Sequence, residues 1–219
     1  MTTEPGSESL GHQASNWNLP NVLTTVRILL VPFFIWALVA GGLWGSDAVG
    51  LRWTAFALFA VAMYTDKLDG DIARSRGLVT SFGKIADPIA DKFLTGAAFI
   101  VLSVLGELWW WVTVLILVRE WGITLLRLVV LRYGVMPASR GGKLKTVLQA
   151  AALLWLLAPL NTVFAAAYGQ LFGQAWLWAG WALMAAALVV TLVTGVDYVV
   201  KAVRLRRDGQ VQSGERGQS

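Results

Sequence analysis

Five aspartates lie between two strongly apolar segments of the chain: Asp66, Asp69, Asp71, Asp87 and Asp91. Ionisable side chains at membrane depth are costly and usually mark a functional site. At about 100° per residue, Asp66 and Asp69 share one helical face, and Asp87 and Asp91 are four apart on a second helix. Two antiparallel helices can therefore direct four carboxylates to one point. Oxygen ligands bind hard divalent cations, so the spacing predicts a site for Mg²⁺ or Mn²⁺, where a pair of ions would serve displacement at phosphorus.

Small and basic residues accompany these acids. Gly70 and Ala73 fall on the face of the first two aspartates and lack bulk, so a nucleotide could approach the helix backbone there. Arg74 lies just beyond that face and suits a bidentate phosphate contact. Asp71 points away from it, and we expect an ordinary solvated side chain. A solvated loop is the competing interpretation of the stretch, but it accounts poorly for the last two aspartates, which lie in an otherwise apolar segment.

The segments that must position these side chains are apolar. Of 219 residues, 57% are hydrophobic and 14% charged, which is typical of membrane proteins. We predict an all-α membrane protein with six transmembrane helices, each near the ~20 residues that a crossing needs. The second and third reach that length only if their acidic ends belong to the same helices. The segments run from about Val22 to Leu43, Leu51 to Thr65 with an extension to Arg74, Gly83 to Leu105, Trp109 to Leu131, Thr146 to Tyr168, and Trp176 to Val200.

The distribution of lysine and arginine predicts the orientation. These residues are concentrated after the second, fourth and sixth segments, while the opposite connections carry none. The positive-inside rule then places both termini and the aspartates on the cytoplasmic side. We expect a disordered cytoplasmic tail at 1–17, a six-helix domain at 18–205 and a basic, polar cytoplasmic tail at 206–219. The net charge of +5 reflects this asymmetry better than nucleic-acid binding, and the lack of cysteine excludes disulfides and thiolate metal sites.

Basic residues in the fourth and fifth segments form a second candidate site. Arg119 and Arg127 are eight residues apart, about 80° around a helix, so they can share a face. Lys143 and Lys145 stand at the start of the fifth segment, where the helix dipole favours anions, and they suit a bound phosphate. Two alternatives stay open: a structural arginine–glutamate pair across the bundle, and ordinary positive-inside anchoring by the two lysines.

The acidic stretch resembles the signature of the CDP-alcohol phosphatidyltransferase family. The match is Asp69-Gly70-x-x-Ala73-Arg74, then eight residues, then Gly83-x-x-x-Asp87-x-x-x-Asp91, with Asp66 as the additional upstream aspartate. The resemblance implies a six-helix membrane bundle, a homodimer and two divalent metal ions. It also implies transfer of a phosphatidyl group from CDP-diacylglycerol to an alcohol, with release of CMP.

The resemblance also implies roles for individual residues. Four aspartates would hold the metal ions, one of them would act as general base, and four other residues would contact the CDP group. The ligands would be Asp66, Asp69, Asp87 and Asp91, with Asp91 as the base, and the CDP contacts would be Gly70, Ala73, Arg74 and Thr80.

Three stretches resemble bacterial phosphatidylglycerophosphate synthases within that family: 18–32, 119–127 and 142–146. The resemblance implies that the acceptor is glycerol 3-phosphate, attacking through its primary hydroxyl. The phosphate of this acceptor would be bound by Arg119, Arg127, Lys143 and Lys145. In the wider family the first stretch lies near the cytidine, so Pro20 and Asn21 are candidate contacts, although Asn21 serves equally well as a helix N-cap.

The sequence leaves other functions open. Inositol phosphate or phosphatidylglycerol could replace glycerol 3-phosphate as acceptor in the same chemistry. A cation transporter would also use intramembrane carboxylates, but it would place them near the bilayer midplane, and here they lie toward the predicted cytoplasmic ends. A bacterial inner membrane, with the active site facing the cytoplasm, fits the pattern best.

Overall fold

The computed structural model describes the backbone of residues 19–75, 81–130 and 140–216, and the side chains of 22–66, 90, 92–126 and 142–204. These residues are helical almost throughout and contain no strand, which confirms the all-α prediction. The helices are α1 (Leu19–Gly41), a 3₁₀ turn (Leu43–Gly45), α2 (Val49–Ser75), α3 (Ser81–Val104), α4 (Trp110–Val130), α5 (Arg140–Leu157), α6 (Leu160–Tyr168) and α7 (Gln170–Arg216).

The helices that carry the aspartates extend through their acidic ends. α2 continues from its apolar half to Ser75, and α3 begins at Ser81, before its two aspartates. This confirms the prediction that the second and third apolar segments and their polar ends form single helices. The acidic residues therefore sit on regular helical backbone, and not in a loop.

The predicted fifth segment is not one straight helix. The chain breaks after Leu157, and α6 starts at Leu160 with its axis turned by 49°. Pro159 explains the break, because proline has no N–H to donate and its ring clashes with the preceding turn. The sixth segment is the central part of a longer helix, α7, which continues to Arg216 through most of the predicted tail at 206–219.

The apolar length of the helices indicates a membrane protein. Within the described residues, the spans Val22–Gly41 and Gln170–Arg204 are each long and apolar enough to cross a bilayer, and α5 with α6 forms a third if the bent pair makes one crossing. Large apolar side chains cover the outer surface; Phe33 and Trp36, for example, are more than half exposed. Such a surface suits lipid contact. Six crossings and cytoplasmic termini stay predictions.

Close packing of small and aromatic side chains holds the bundle. α1 packs against α2 and α3, and α7 packs against α4, α5 and α6. Phe34 of α1 and Phe59 of α2 are fully buried, with their ring centroids 5.7 Å apart. Helix association in lipid depends on van der Waals packing, which small residues permit by letting backbones approach. The buried alanines at these contacts are Ala37, Ala55, Ala62 and Ala98.

A buried ion pair ties the other end of the bundle together. Arg52 and Glu107 are both fully buried, and the guanidinium binds both carboxylate oxygens, with Nη1 2.8 Å from Oε1. Arg52 also donates to the carbonyls of Leu157 (3.1 Å) and Leu156 (3.0 Å), where α5 ends. The backbone N–H of Trp44 donates to Glu107 at 2.7 Å. Burial raises the pKa of Glu107, and the guanidinium of Arg52 opposes that rise.

Tryptophan side chains surround this ion pair. Trp181 donates its indole N–H to the carbonyl of Glu107 at 3.1 Å and contacts Trp44 and Trp109 at centroid distances of 6.3 and 5.2 Å. Arg52 precedes Asp66 by fourteen positions on α2, about 21 Å along the helix axis. The tryptophans therefore lie far from the aspartates, and rings of this kind are enriched where helices meet a membrane–water interface.

Candidate active site

Asp66 is the one member of the acidic cluster whose side chain the structure describes. Arg27 Nη1 donates to Asp66 Oδ1 at 2.6 Å, and Arg27 Nε donates to the carbonyl of Ala62, one turn earlier on α2, at 3.2 Å. Arg27 is fully buried in α1, whereas the Asp66 side chain is about one-third exposed. A buried arginine thus fixes the orientation of a carboxylate that is still partly exposed.

The structure gives ten of the other predicted residues only backbone positions or none, and describes the side chains of Arg119, Lys143 and Lys145. α2 carries Asp69, Gly70, Ala73 and Arg74, α3 carries Asp87 and Asp91, α1 carries Pro20 and Asn21, and α4 carries Arg127. The side chains of all nine lie outside the described residues, as does Thr80 entirely. Among the side chains that are described, no group of three acids or histidines could hold a metal. The metal site therefore stays a prediction.

A polar cavity opens between α2, α3, α4 and α5, close to the aspartates. Its apolar wall includes Met63, one turn before Asp66, and its polar wall includes Lys92, which follows Asp91 directly on α3. Because α2 and α3 carry both the cavity lining and the aspartates, the two sites adjoin. The polar lining residues are Lys92, Thr95, Glu120, Lys145, Thr146 and Gln149.

The two predicted lysines of α5 are not brought together. Lys145 is 7% exposed and lines the cavity, whereas Lys143 is exposed and does not. Residues two apart on a helix lie about 200° from each other, so one of them must face away from any single pocket. Lys145 Nζ lies 2.5 Å from Glu120 Oε1 of α4. This ion pair joins the fourth and fifth helices in the wall of the cavity.

Arg119 turns toward α7 and does not line the cavity. Its Nε donates to the carbonyl of Thr191 at 3.0 Å, its Nη2 to the hydroxyl of Thr194 at 2.9 Å and its Nη1 to Glu120 Oε1 at 3.3 Å. Arg119 therefore pairs with a glutamate, but with its sequence neighbour Glu120 and not across the bundle; the partner of Glu120 across helices is Lys145. Glu120 accepts from both basic residues through one oxygen.

Some cavity residues were not identified from the sequence. Lys92 adjoins Asp91, and Gln149 lies one turn after Lys145 on the same face of α5, so spacing alone contained a signal for both. Gln149 Nε2 donates to the hydroxyl of Thr191 at 3.0 Å, which links the cavity to α7. Polar side chains near helix ends are common, and only the packed bundle distinguishes these two.

The chain is similar to known proteins over most of its length. The family model described as CDP-alcohol phosphatidyltransferase matches residues 17–194. A Mycobacterium tuberculosis (strain H37Rv) protein named probable phosphatidylglycerophosphate synthase is 48% identical, over 93% of this chain and 90% of that relative. Proteins named CDP-diacylglycerol–glycerol-3-phosphate 3-phosphatidyltransferase from Bacillus subtilis (strain 168) and Escherichia coli (strain K12) are 37% and 33% identical, over 84% and 85% of this chain and 95% of each relative. The resemblance predicted from the acidic motif is confirmed.

Proposed function

The chain belongs to the CDP-alcohol phosphatidyltransferase family, and we propose that it transfers the phosphatidyl group of CDP-diacylglycerol to sn-glycerol 3-phosphate. The products are phosphatidylglycerophosphate and CMP, so the protein is a transferase of phospholipid biosynthesis. The names of relatives at 33–48% identity support this acceptor. The structural observation that carries the proposal is the polar cavity lined by Lys92 and Lys145, which adjoins the helices of the acidic motif.

The acceptor phosphate occupies this cavity in our proposal. Lys145 is held at its edge with little exposure, and Lys92 lines the same space from α3. Two ammonium groups suit a phosphate dianion, and the start of α5 adds the positive end of a helix dipole. Lys143 and Arg127 remain predicted contacts at the rim. Arg119 contacts α7 and Glu120 and does not line the cavity.

The donor binds at the acidic helices. Gly70, Ala73, Arg74 and Thr80 would receive the CDP group, with Pro20 and Asn21 near the cytidine. The chemistry of Asp66 fits a hard cation, because its carboxylate is oriented by Arg27 and still about one-third exposed. Together with Asp69, Asp87 and Asp91, it would hold two Mg²⁺ or Mn²⁺ ions, which would stabilise the negative charge that develops on oxygen during the transfer.

The chain's own groups perform the remaining steps. Lys145 and Lys92 orient glycerol 3-phosphate so that its primary hydroxyl points from the cavity toward α3, where Asp91 lies one residue before Lys92. Asp91 accepts the hydroxyl proton, and the oxygen forms a bond to the β-phosphorus of CDP-diacylglycerol. The bond from that phosphorus to the bridging oxygen breaks, and CMP leaves with the electron pair. Holding both substrates in line supplies much of the rate gain.

The membrane setting follows from the same pattern. We propose that six segments cross a bacterial inner membrane, with both termini and the active site on the cytoplasmic side, where soluble glycerol 3-phosphate is available. The two long apolar spans and the exposed apolar surface support insertion in lipid. A homodimer within the membrane is the expected assembly.

One assay tests the proposal. Purified protein in lipid is given CDP-diacylglycerol and Mg²⁺ with glycerol 3-phosphate, inositol 1-phosphate or phosphatidylglycerol, and CMP release is measured. We expect CMP only with glycerol 3-phosphate and only until a chelator is added. Asp91→Asn should insert normally and release no CMP. CMP release with another acceptor alone would correct the substrate, and no metal-dependent release with any acceptor would leave a transporter as the better interpretation.

A further inference from the structure

Arg119 is held by hydrogen bonds and close packing against α7. The guanidinium reaches the carbonyl of Thr191 and the hydroxyl of Thr194, at 3.0 and 2.9 Å. The arginine stem passes directly over Gly195, where an added Cβ would lie 3.2 Å from Arg119 Cγ and 3.3 Å from Nε. Glycine at this position lets an arginine on α4 approach α7 closely enough to bind its backbone.

The same guanidinium also contacts Glu120, a residue that lines the cavity. Arg119 Nη1 and Lys145 Nζ both donate to Glu120 Oε1, at 3.3 and 2.5 Å. Gln149, a cavity residue four positions after Lys145, donates to the hydroxyl of Thr191 at 3.0 Å. α7 therefore contacts the α4–α5 side of the cavity twice, once through the charged pair and once through an amide.

We propose that Arg119 and Glu120 are positioning residues, which transmit the placement of α7 to Lys145 and so set the geometry in which the acceptor phosphate is bound. The inference rests on the proposed function, because Lys145 needs a defined position only if it binds substrate. Gly195, Thr191 and Thr194 contribute the fixed end of this chain of contacts, and none of them lines the cavity.

Lys145 needs positioning residues because a lysine side chain is flexible. An ammonium on a four-carbon stem has many rotamers, and ordering it has an entropic cost. Glu120 orders Lys145 before substrate arrives, so less of that cost falls on binding. Arg119 in turn prevents Glu120 from following Lys145 toward the phosphate. A carboxylate without Arg119 would move with the lysine and neutralise it.

The first test disturbs the contact between Arg119 and α7 without changing a residue that lines the cavity. In Gly195→Ala the new methyl group displaces Arg119 by a few tenths of an ångström, and we expect the KM for glycerol 3-phosphate to rise about three- to tenfold, with kcat and the KM for CDP-diacylglycerol changed less than twofold. Gly122→Ala is the matched control on α4, because nothing lies within 4 Å of its added Cβ. Thr194→Val should act like Gly195→Ala, and Thr194→Ser should restore the wild-type KM.

The second test removes the charge that holds Lys145. Glu120→Gln should raise the KM for glycerol 3-phosphate about tenfold or more, because a charge-assisted hydrogen bond is lost. A lower KM would show that the carboxylate only competes with phosphate for Lys145, and would overturn the inference. In a Lys145→Met background, Glu120→Gln should add nothing further, whereas additive losses would indicate a general structural role.

The two proposals fail separately. If the wild-type protein releases no CMP with glycerol 3-phosphate, the proposed function is wrong. If it does, but Gly195→Ala and Glu120→Gln leave the KM unchanged, only the positioning role is wrong. The shift in thermal midpoint caused by glycerol 3-phosphate gives the same comparison without turnover, since a ligand that binds only the folded protein stabilises it by RT ln(1 + [L]/Kd) and tighter binding gives a larger shift.

Discussion

The substitution Arg52→Met should destabilise the protein strongly while leaving the chemistry intact. It removes one partner of a fully buried ion pair and leaves Glu107 uncompensated, which costs about 3–5 kcal/mol. It also removes the donors to the carbonyls of Leu156 and Leu157, each worth roughly 1 kcal/mol. Methionine preserves most of the packing of the arginine stem, so we expect a total of at least about 5 kcal/mol.

Thermal unfolding in detergent, followed by tryptophan fluorescence, measures this loss. About 5 kcal/mol corresponds to a decrease of roughly 10–20 °C in the midpoint for a chain of this size. Lys201→Met is the matched control, because its ion pair with Asp197 is half exposed on one helix and is worth under about 1 kcal/mol. If Arg52→Met lowers the midpoint no more than Lys201→Met, the buried network does not support the fold.

The stability of the variant should also depend on pH more strongly than that of the wild type, with the same sign. Burial raises the pKa of Glu107 from its usual value of 4.5, and Arg52 opposes this rise. The folded wild type already binds a proton on Glu107 more tightly than the unfolded chain does, and removing the arginine increases this difference. The stability of Arg52→Met is then greatest below the unfolded pKa and falls as the pH rises through the folded one. Adding Glu107→Gln should remove that slope, and a slope that persists would locate the titrating group elsewhere.

Two further substitutions test other contacts. Arg27→Met should lower kcat at least tenfold, because Asp66 loses the donor that orients it at 2.6 Å; Arg27→Lys should recover part of the loss, and unchanged turnover in both would remove Arg27 from the site. Gly173→Ala should cost about 1–3 kcal/mol, because its Cβ would lie 2.6 Å from the carbonyl oxygen of Asn161; Gly122→Ala should be neutral or stabilising, and equal midpoints would contradict the close α6–α7 contact.

The helices that carry the motif could be predicted from local pattern alone. Hydrophobic runs that continue into acidic residues at helical spacing predicted α2 and α3, because periodicity is a property of neighbouring residues. The family assignment followed from eight spaced positions. The break before Pro159 was also within reach of the sequence, since proline cannot continue a hydrogen-bonded helix, but the apolar run across it hid the change of direction.

Contacts between distant residues could not be predicted in this way. Arg119 and Lys145 were both predicted from the sequence to bind the acceptor phosphate, yet one binds α7 and the other lines the cavity. Arg27 binds Asp66, which lies 39 positions later in the sequence. Which partner a buried cation finds depends on how the helices pack and rotate, and that is determined by many side chains together.

α7 is longer than a bilayer is thick, so part of the helix is expected to lie in the water beside the membrane. Its 47 residues extend about 70 Å, whereas a bilayer with its headgroups measures about 40–45 Å. Even when the helix is tilted, several of its turns extend beyond the lipid surface. A fluorophore attached near Arg216 would therefore report distance from the bilayer, and quenchers fixed to lipid headgroups should reach it poorly.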